Sequence, residues 1–190
     1  ENSLTMVGML NHSGEKIVTF DHSEQQPTTE GGSIVQNILD DTHLLVMQNA
    51  IHDLTWLWES GFTYTGKIFD TMLGAYIIQR GQKEPLSLEY LAERYKCDTQ
   101  KMGTIKDYFN KGYTTREIPH EELSQYLSAD LHATMELYDK IDDQLNTHDS
   151  GLIDTVKLTN QICIHLARIY QKGFNVNQEA LEEVRKEFEA

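Results

Sequence analysis

The residues best suited to chemistry are Tyr126 and Asp130, which lie four positions apart. They fall in the stretch from 122 to 131, which predicts a helix because it holds good helix formers, no Gly or Pro, and leucines at 123, 127 and 131. Residues four apart on a helix lie one above the other on the same face. A phenol above a carboxylate can bind a metal ion and orient a water on it, although the spacing Tyr-x-x-x-Asp also arises by chance.

A second polar pair, Asn49 and Asp53, lies where an apolar run meets a helical pattern. Residues 43–47 predict a buried strand, and apolar residues recur at helical spacing from 51 to 58 before Gly61 ends the pattern. Asp53 therefore falls in the first turn of a helix that follows a strand. The simpler interpretation is a carboxylate stabilised by the helix dipole, worth roughly 0.3–1 kcal/mol.

The rest of the sequence predicts the elements that must position these pairs. Residues 4–10 and 16–20 predict a β-hairpin with its turn at 11–14, and residues 22–33 predict a loop. Helices are predicted at 34–39, at 71–78 with Asp70 as the N-cap, at 86–95, around 104–110 and from about 120 to 145. A polar break at 146–151 predicts a linker. Further helices follow at about 152–172, with an inner stripe that includes Leu166 and Tyr170, and from about 178 to the last residue, with Gly173 between them.

The composition bounds the class of protein. The chain has 190 residues, two Cys and a formal net charge of -14. Two distant Cys make no disulfide framework and fit a reducing compartment, and the absence of a Cys/His spacing argues against zinc. No apolar run reaches the ~18 residues of a membrane span. The negative charge disfavours broad capture of nucleic acid, but an enzyme can act on nucleic acid through bound cations. The first residues show no initiator Met and no signal peptide, which suggests a fragment of a longer protein.

Taken in order, the two pairs and the helices between them resemble a known family. A strand leads into Asn49-x-x-x-Asp53, a helix follows Asp70, and a long helix carries Tyr126-x-x-x-Asp130. This arrangement resembles the 3′–5′ exonuclease domains of the RNase H-like superfamily that use four acidic residues and a tyrosine. It is most similar to the proofreading domain of family A DNA polymerases. The resemblance covers essentially the whole chain, because residues 166–177 are similar to the family's transition into its polymerase domain.

The resemblance implies an α/β fold, with an RNase H-like mixed sheet flanked by helices and a short helical C-terminal extension. It implies an exonuclease domain at 1–147, truncated in or before its first motif, and the helical start of a polymerase domain at 152–190. The implied partners are the single-stranded or frayed 3′ end of DNA and the remainder of the polymerase. A monomer without a membrane partner is expected, in the cytoplasm or nucleoid of a bacterial or phage-like system or in an organelle.

The resemblance also implies two-metal hydrolysis of the terminal phosphodiester, with Mg²⁺ or Mn²⁺ as the two divalent ions. Asp53 and Asp130 would be metal ligands and, with Tyr126, the catalytic residues, and Glu1 is a further candidate ligand. Tyr126 would orient the attacking water through its hydroxyl. Asn49 would position the terminal nucleotide or hold Asp53.

Two departures from the family pattern matter. The first exonuclease motif, Asp-x-Glu, is incomplete, because the chain begins Glu1-Asn2-Ser3-Leu4. The aspartate that bridges both metals in the family is therefore absent, and we expect this chain alone to be a weak or inactive nuclease. The second departure is His52, where the family often has an aromatic residue, and this predicts sensitivity to pH near 6–7.

Two alternative functions remain open at this stage. One is an RNase D-like exonuclease that acts on RNA 3′ ends with the same chemistry. The other is a catalytically inert exonuclease-like module kept for structure or for binding a primer end. For Trp56 and Trp58 the sequence favours packing over stacking on bases.

Overall fold

The computed structural model describes residues 4–11, 13–20, 26–99 and 104–189. The strands in these ranges are β1 (Met6–Asn11), β2 (Gly14–Thr19), β3 (Leu44–Met47) and β4 (Lys67–Asp70). The helices are α1 (Glu30–Asp41), α2 (Ala50–Glu59), α3 (Thr71–Ile78), α4 (Leu88–Arg94), α5 (Thr104–Asn110), α6 (His120–Thr147), α7 (Ile153–Lys172) and α8 (Gln178–Glu189). The fold is thus mixed α/β and mostly helical, and none of the described helices is long and apolar enough to span a membrane.

The described strands form two small sheets of different type. β1 and β2 pair antiparallel from Met6↔Thr19 to Asn11↔Gly14, which confirms the predicted hairpin. β3 and β4 pair parallel from Leu44↔Lys67 to Met47↔Asp70. Parallel neighbours need a crossover connection, and α2 supplies it. The sequence predicted a strand at residues 43–47 but none at residues 67–70.

The prediction for α1 was wrong at its start. The sequence predicted a loop to residue 33, whereas the helix begins at Glu30, and the predicted loop residues 22–25 lie outside the described ranges. Thr29 is the N-cap, and its hydroxyl accepts a hydrogen bond from the backbone N–H of Gly32 (2.9 Å). A Cβ on Gly31 would lie 2.7 Å from Cγ1 of Val18, so this glycine lets α1 approach β2 closely.

Two clusters of buried side chains form the core, and each fully buried aliphatic or aromatic side chain contributes about 1.5–3 kcal/mol. The first cluster brings together both sheets with α1, α2 and α7. Its members are Val18, Phe20, Val35, Leu39, Met47, Ala50, Leu54, Phe62, Tyr64, Ile68, Cys163 and Ala167. The second cluster joins α3, α4, α6 and α7. Its members are Ala75, Leu88, Leu91, Ala133, Leu137, Ile141, Leu145 and Val156.

The helix α6 contacts both sheets and carries the predicted pair Tyr126 and Asp130. Its N-terminal half lies directly on β1, where a Cβ on Gly8 would come within 2.9 Å of both Leu127 and Leu131. Its C-terminal half contributes the buried side chains of Leu137, Ile141 and Leu145 to the second cluster. The absence of a side chain at residue 8 therefore sets how closely the long helix approaches the hairpin.

The C-terminal helices leave apolar side chains exposed. In α7 the stripe that includes Val156, Cys163 and Ala167 is buried. Two residues predicted for that stripe are exposed instead, Leu166 at 41% and Tyr170 at 71%, because α7 is apolar on more than one face. Every residue of α8 is exposed, including its predicted apolar face. In the described part of the chain, no other element therefore packs against the outer face of α7 or buries α8.

Candidate functional site

The carboxyl ends of β3 and β4 lie side by side, and a polar residue follows or ends each strand. Met47 pairs with Asp70 in the parallel register, and Asn49 comes two residues after Met47. The hydroxyl of Thr71 joins the two ends by hydrogen bonds to the backbone oxygen of Met47 (3.1 Å) and to Oε1 of Gln48 (2.5 Å). In α/β proteins ligands bind in crevices at such strand ends, so this edge is a candidate ligand-binding site.

Asp70 is the buried anchor of this edge. Its side chain is 1% exposed and accepts hydrogen bonds from the backbone N–H groups of Asn49 (3.0 Å), Ala50 (2.9 Å) and Met72 (2.9 Å). Burial raises the pKa of Asp70, and these hydrogen bonds oppose the rise. The sequence predicted Asp70 only as the N-cap of α3. The structure shows that it also fixes the start of α2, a tertiary role that local sequence patterns do not indicate.

Asn160 of α7 forms a hydrogen bond with the backbone of Asp70. Its Oδ1 accepts a hydrogen bond from the backbone N–H of Asp70 (2.7 Å), and its Nδ2 donates to the backbone oxygen of Val156 (2.9 Å). The residue is 3% exposed. Because both its oxygen and its nitrogen are hydrogen-bonded, the buried amide of Asn160 has a fixed orientation. It therefore holds the end of β4 in place. The sequence analysis did not single out this residue.

Asn49 lies at the N-cap of α2 in the left-handed region, with φ 65° and ψ 57°. Only a few per cent of residues other than glycine adopt this conformation, and asparagine is enriched among them. The residue is exposed, and its side chain forms no capping hydrogen bond with the helix. Asn49 thus lies at the surface, next to the carboxyl ends of β3 and β4.

Asp53 lies one turn into α2 and is partly buried. Burial first, then the charges of Asp70 and Asp130, raise its pKa from the ordinary 3.8 to about 7. A carboxylate that merely complemented the helix dipole would have its pKa lowered. The raised value therefore argues against the simpler interpretation of Asp53 and indicates a buried site that gathers negative charge.

The structure brings the predicted residues of two distant helices toward one spot. Asp130, partly buried on α6, lies close enough to Asp53 for its charge to raise the pKa of that carboxyl. Tyr126 is partly buried one turn earlier on the same face of α6. Asn49 is the N-cap of α2, four residues before Asp53. Glu1, the remaining predicted ligand, lies outside the described residues.

The donor chemistry fits part of a divalent cation site. Mg²⁺ and Mn²⁺ prefer carboxylate oxygens, and a cation between Asp53 and Asp130 would offset the burial and the like charges that raise the pKa of Asp53. Among the described residues, however, no group of three or more His, Cys, Asp or Glu side chains is arranged to hold a metal ion. The two aspartates therefore match two members of a ligand set and not a complete one.

Comparison with known proteins identifies a family that covers most of the chain. A family model described as 3′–5′ exonuclease matches residues 6–146. DNA polymerase I of Synechocystis sp. is 25% identical over 147 residues, which are 77% of this chain and 14% of that protein. DNA polymerase I of Borreliella burgdorferi is 30% identical over 102 residues, which are 54% of this chain and 11% of that protein. The chain thus corresponds to about a seventh or less of the curated relatives it matches.

Proposed function

The chain belongs to the 3′–5′ exonuclease family related to DNA polymerase I, and from this premise we propose that it hydrolyses the terminal phosphodiester at a DNA 3′ end. The activity is proofreading, carried by a portion of a family A DNA polymerase. One observation carries the proposal beyond the family: Asp53 and Asp130, which are 77 residues apart in sequence, repel each other in a buried site beside a tyrosine.

Each residue has a role that follows from its position. Asp53 and Asp130 would hold two divalent ions, Mg²⁺ or Mn²⁺. Each ion would need further oxygen ligands besides these two carboxylates. When bound, such ions supply Lewis acidity to the attacking water and to the leaving 3′ oxygen. Tyr126, one turn from Asp130, would orient the water through its hydroxyl. The exposed amide of Asn49 would bind the terminal nucleotide.

We further propose that the two small sheets are portions of an RNase H-like mixed sheet flanked by helices. Two observations support this arrangement. Both sheets contribute side chains to the first core cluster, and α6 packs against β1, β2 and β3. The antiparallel hairpin and the parallel pair are then the two parts of a sheet that share one face and one covering helix.

Residues 152–190 are proposed as the helical start of a polymerase domain, following an exonuclease domain at 1–147. The support is the apolar surface that α7 and α8 leave exposed. It includes Leu158, Ile162, Ile169, Phe174, Leu181, Val184 and Phe188, which are 46–89% exposed. Exposed apolar side chains that gather into a patch are typical of an interaction site. Its proposed partner is the remainder of the polymerase, since the relatives are several times longer than their matched segments.

The proposal is tested with oligonucleotides labelled at the 5′ end and an excess of the protein. In Mn²⁺ we expect slow shortening from the 3′ end, one nucleotide at a time, which is lost in Asp53→Asn and Asp130→Asn. In Ca²⁺, which holds the substrate without turnover, we expect binding of a single-stranded 3′ end. Asp154→Asn, a change at a fully exposed aspartate of α7, is the control.

Matched DNA and RNA oligonucleotides separate the alternatives. Preferential shortening of RNA would replace the proposal with an RNase D-like function. Binding of a 3′ end that is never cleaved, with or without the two substitutions, would indicate an inert end-binding module. Cleavage that both aspartate substitutions leave unchanged would show that the nuclease site lies elsewhere.

A further inference from the structure

The helix α2 carries two tryptophans whose surroundings differ. Trp56 and Trp58 are two residues apart and so point about 200° apart around the helix. Trp58 packs against the first core cluster, and the guanidinium carbon of Arg168 lies 4.5 Å from the centroid of its ring. Trp56 is partly buried but is not among the residues that pack against either cluster in the described part of the chain. Core packing therefore explains Trp58 and does not explain Trp56.

Trp56 lies on the face of α2 that carries the candidate site. It is three residues after Asp53, a spacing that places two side chains on the same side of a helix. Its ring meets the ring of His52 edge to face, with centroids 6.3 Å apart and planes at 69°. His52 is exposed. The two rings thus form an aromatic pair that extends the site by one helical turn, outside the core.

We propose that Trp56, oriented by His52, is a stacking surface for an unpaired base of the strand whose 3′ end lies at Asp53 and Asp130. This inference rests on the proposed function. An indole ring stacks on any base, so it suits an enzyme that must accept every sequence. It also attracts the substrate without positive charge, which matters in a chain whose net charge is -14.

Because the chain contains two Trp, single-tryptophan variants report each position separately. Trp58→Phe leaves Trp56 as the emitting residue, and Trp56→Phe leaves Trp58. Titration with a short oligothymidylate in Ca²⁺ should quench the emission of Trp56 and leave that of Trp58 unchanged. An oligonucleotide of the same length with abasic 3′-terminal sugars should bind without quenching.

Binding of a labelled oligonucleotide, followed by fluorescence anisotropy, gives an independent measure. Trp56→Ala should weaken binding about 10-fold, and Trp56→Phe, which keeps an aromatic face, should restore most of the affinity. Far-UV circular dichroism confirms that the variants are folded. If the oligonucleotide binds, while Trp56 emission does not change and Trp56→Ala binds normally, the stacking role is refuted and the proposed function stands. If no oligonucleotide with a 3′ end binds the unmodified chain, both proposals are refuted.

Discussion

Replacing Asp53 by asparagine should stabilise the metal-free protein at alkaline pH. Asparagine has nearly the shape of aspartate but cannot ionise, so it removes a negative charge from a buried site that also contains Asp70 and Asp130. The pKa of Asp53 rises from 3.8 to about 7 on folding. The folded protein therefore holds the proton more tightly than the unfolded chain. The stabilisation from the protonated carboxyl is fully present below about pH 3.8 and is lost as the pH rises through about 7.

The size of the effect follows from the shift. A change from 3.8 to about 7 is about three pKa units, and each unit corresponds to about 1.4 kcal/mol. At about pH 8 the ionised Asp53 thus costs the fold about 4 kcal/mol, which Asp53→Asn should recover. At about pH 5 only about 1.2 units of the shift are expressed, so the recovery should fall to about 1.7 kcal/mol. Since domains are stable by about 5–15 kcal/mol, the difference is measurable.

Denaturation by urea in EDTA, at about pH 5 and about pH 8, measures the free energy of unfolding of each variant. Asp154→Asn on the surface of α7 is the control, and it should change stability by less than about 0.5 kcal/mol at both values. Addition of Mn²⁺ should raise the stability of the unmodified protein but not of Asp53→Asn, because a ligand that binds only the folded state stabilises it. A gain that is equal at both pH values, or a loss of stability at about pH 8, would show that folding does not raise the pKa of Asp53.

Three further outcomes test the parts of the site separately. Gly8→Ala should lower the free energy of unfolding by about 1–2 kcal/mol, because its Cβ would overlap the leucines of α6, whereas Gly151→Ala, which meets no atom within 4 Å, should not. Asn160→Leu should cost about 1–3 kcal/mol in thermal or urea unfolding, since it leaves the buried N–H of Asp70 without its acceptor. Tyr126→Phe should slow single-turnover cleavage by roughly 100-fold while calorimetry shows unchanged Mn²⁺ binding; equal rates would remove the hydroxyl from the mechanism.

Local spacing was enough to predict the helices that carry the candidate site. The pair Tyr126 and Asp130 lies on one face of α6, and the pair Asn49 and Asp53 consists of the N-cap and a first-turn residue of α2. Such pairs are predictable because helical geometry relates near neighbours in sequence. The roles assigned to these residues stay predictions until the variants are measured.

Features that depend on distant neighbours were not predictable in the same way. Asp70 anchors the start of α2 only because β3 and β4 lie side by side, and no local pattern shows that pairing. The start of α1 was missed because two glycines disfavour a helix, whereas close packing against β2 uses one of them. Leu166 and Tyr170 were assigned to the core because α7 is apolar on two faces, and periodicity does not show which face a neighbour covers.

The neighbouring carboxylates Asp70 and Asp53 show how one fold can use the same group in two ways. Asp70 accepts backbone hydrogen bonds from Asn49, Ala50 and Met72 and organises two helix starts, so its oxygens are already engaged. The causes that raise the pKa of Asp53 are burial and like charge, with no hydrogen bond among them. Under the proposed function, this surrounding serves the binding of a cation rather than stability. Since Asp70 is committed to the backbone, the further oxygens of the proposed Mg²⁺ site would come from water, from substrate phosphate or from residues beyond the described ranges.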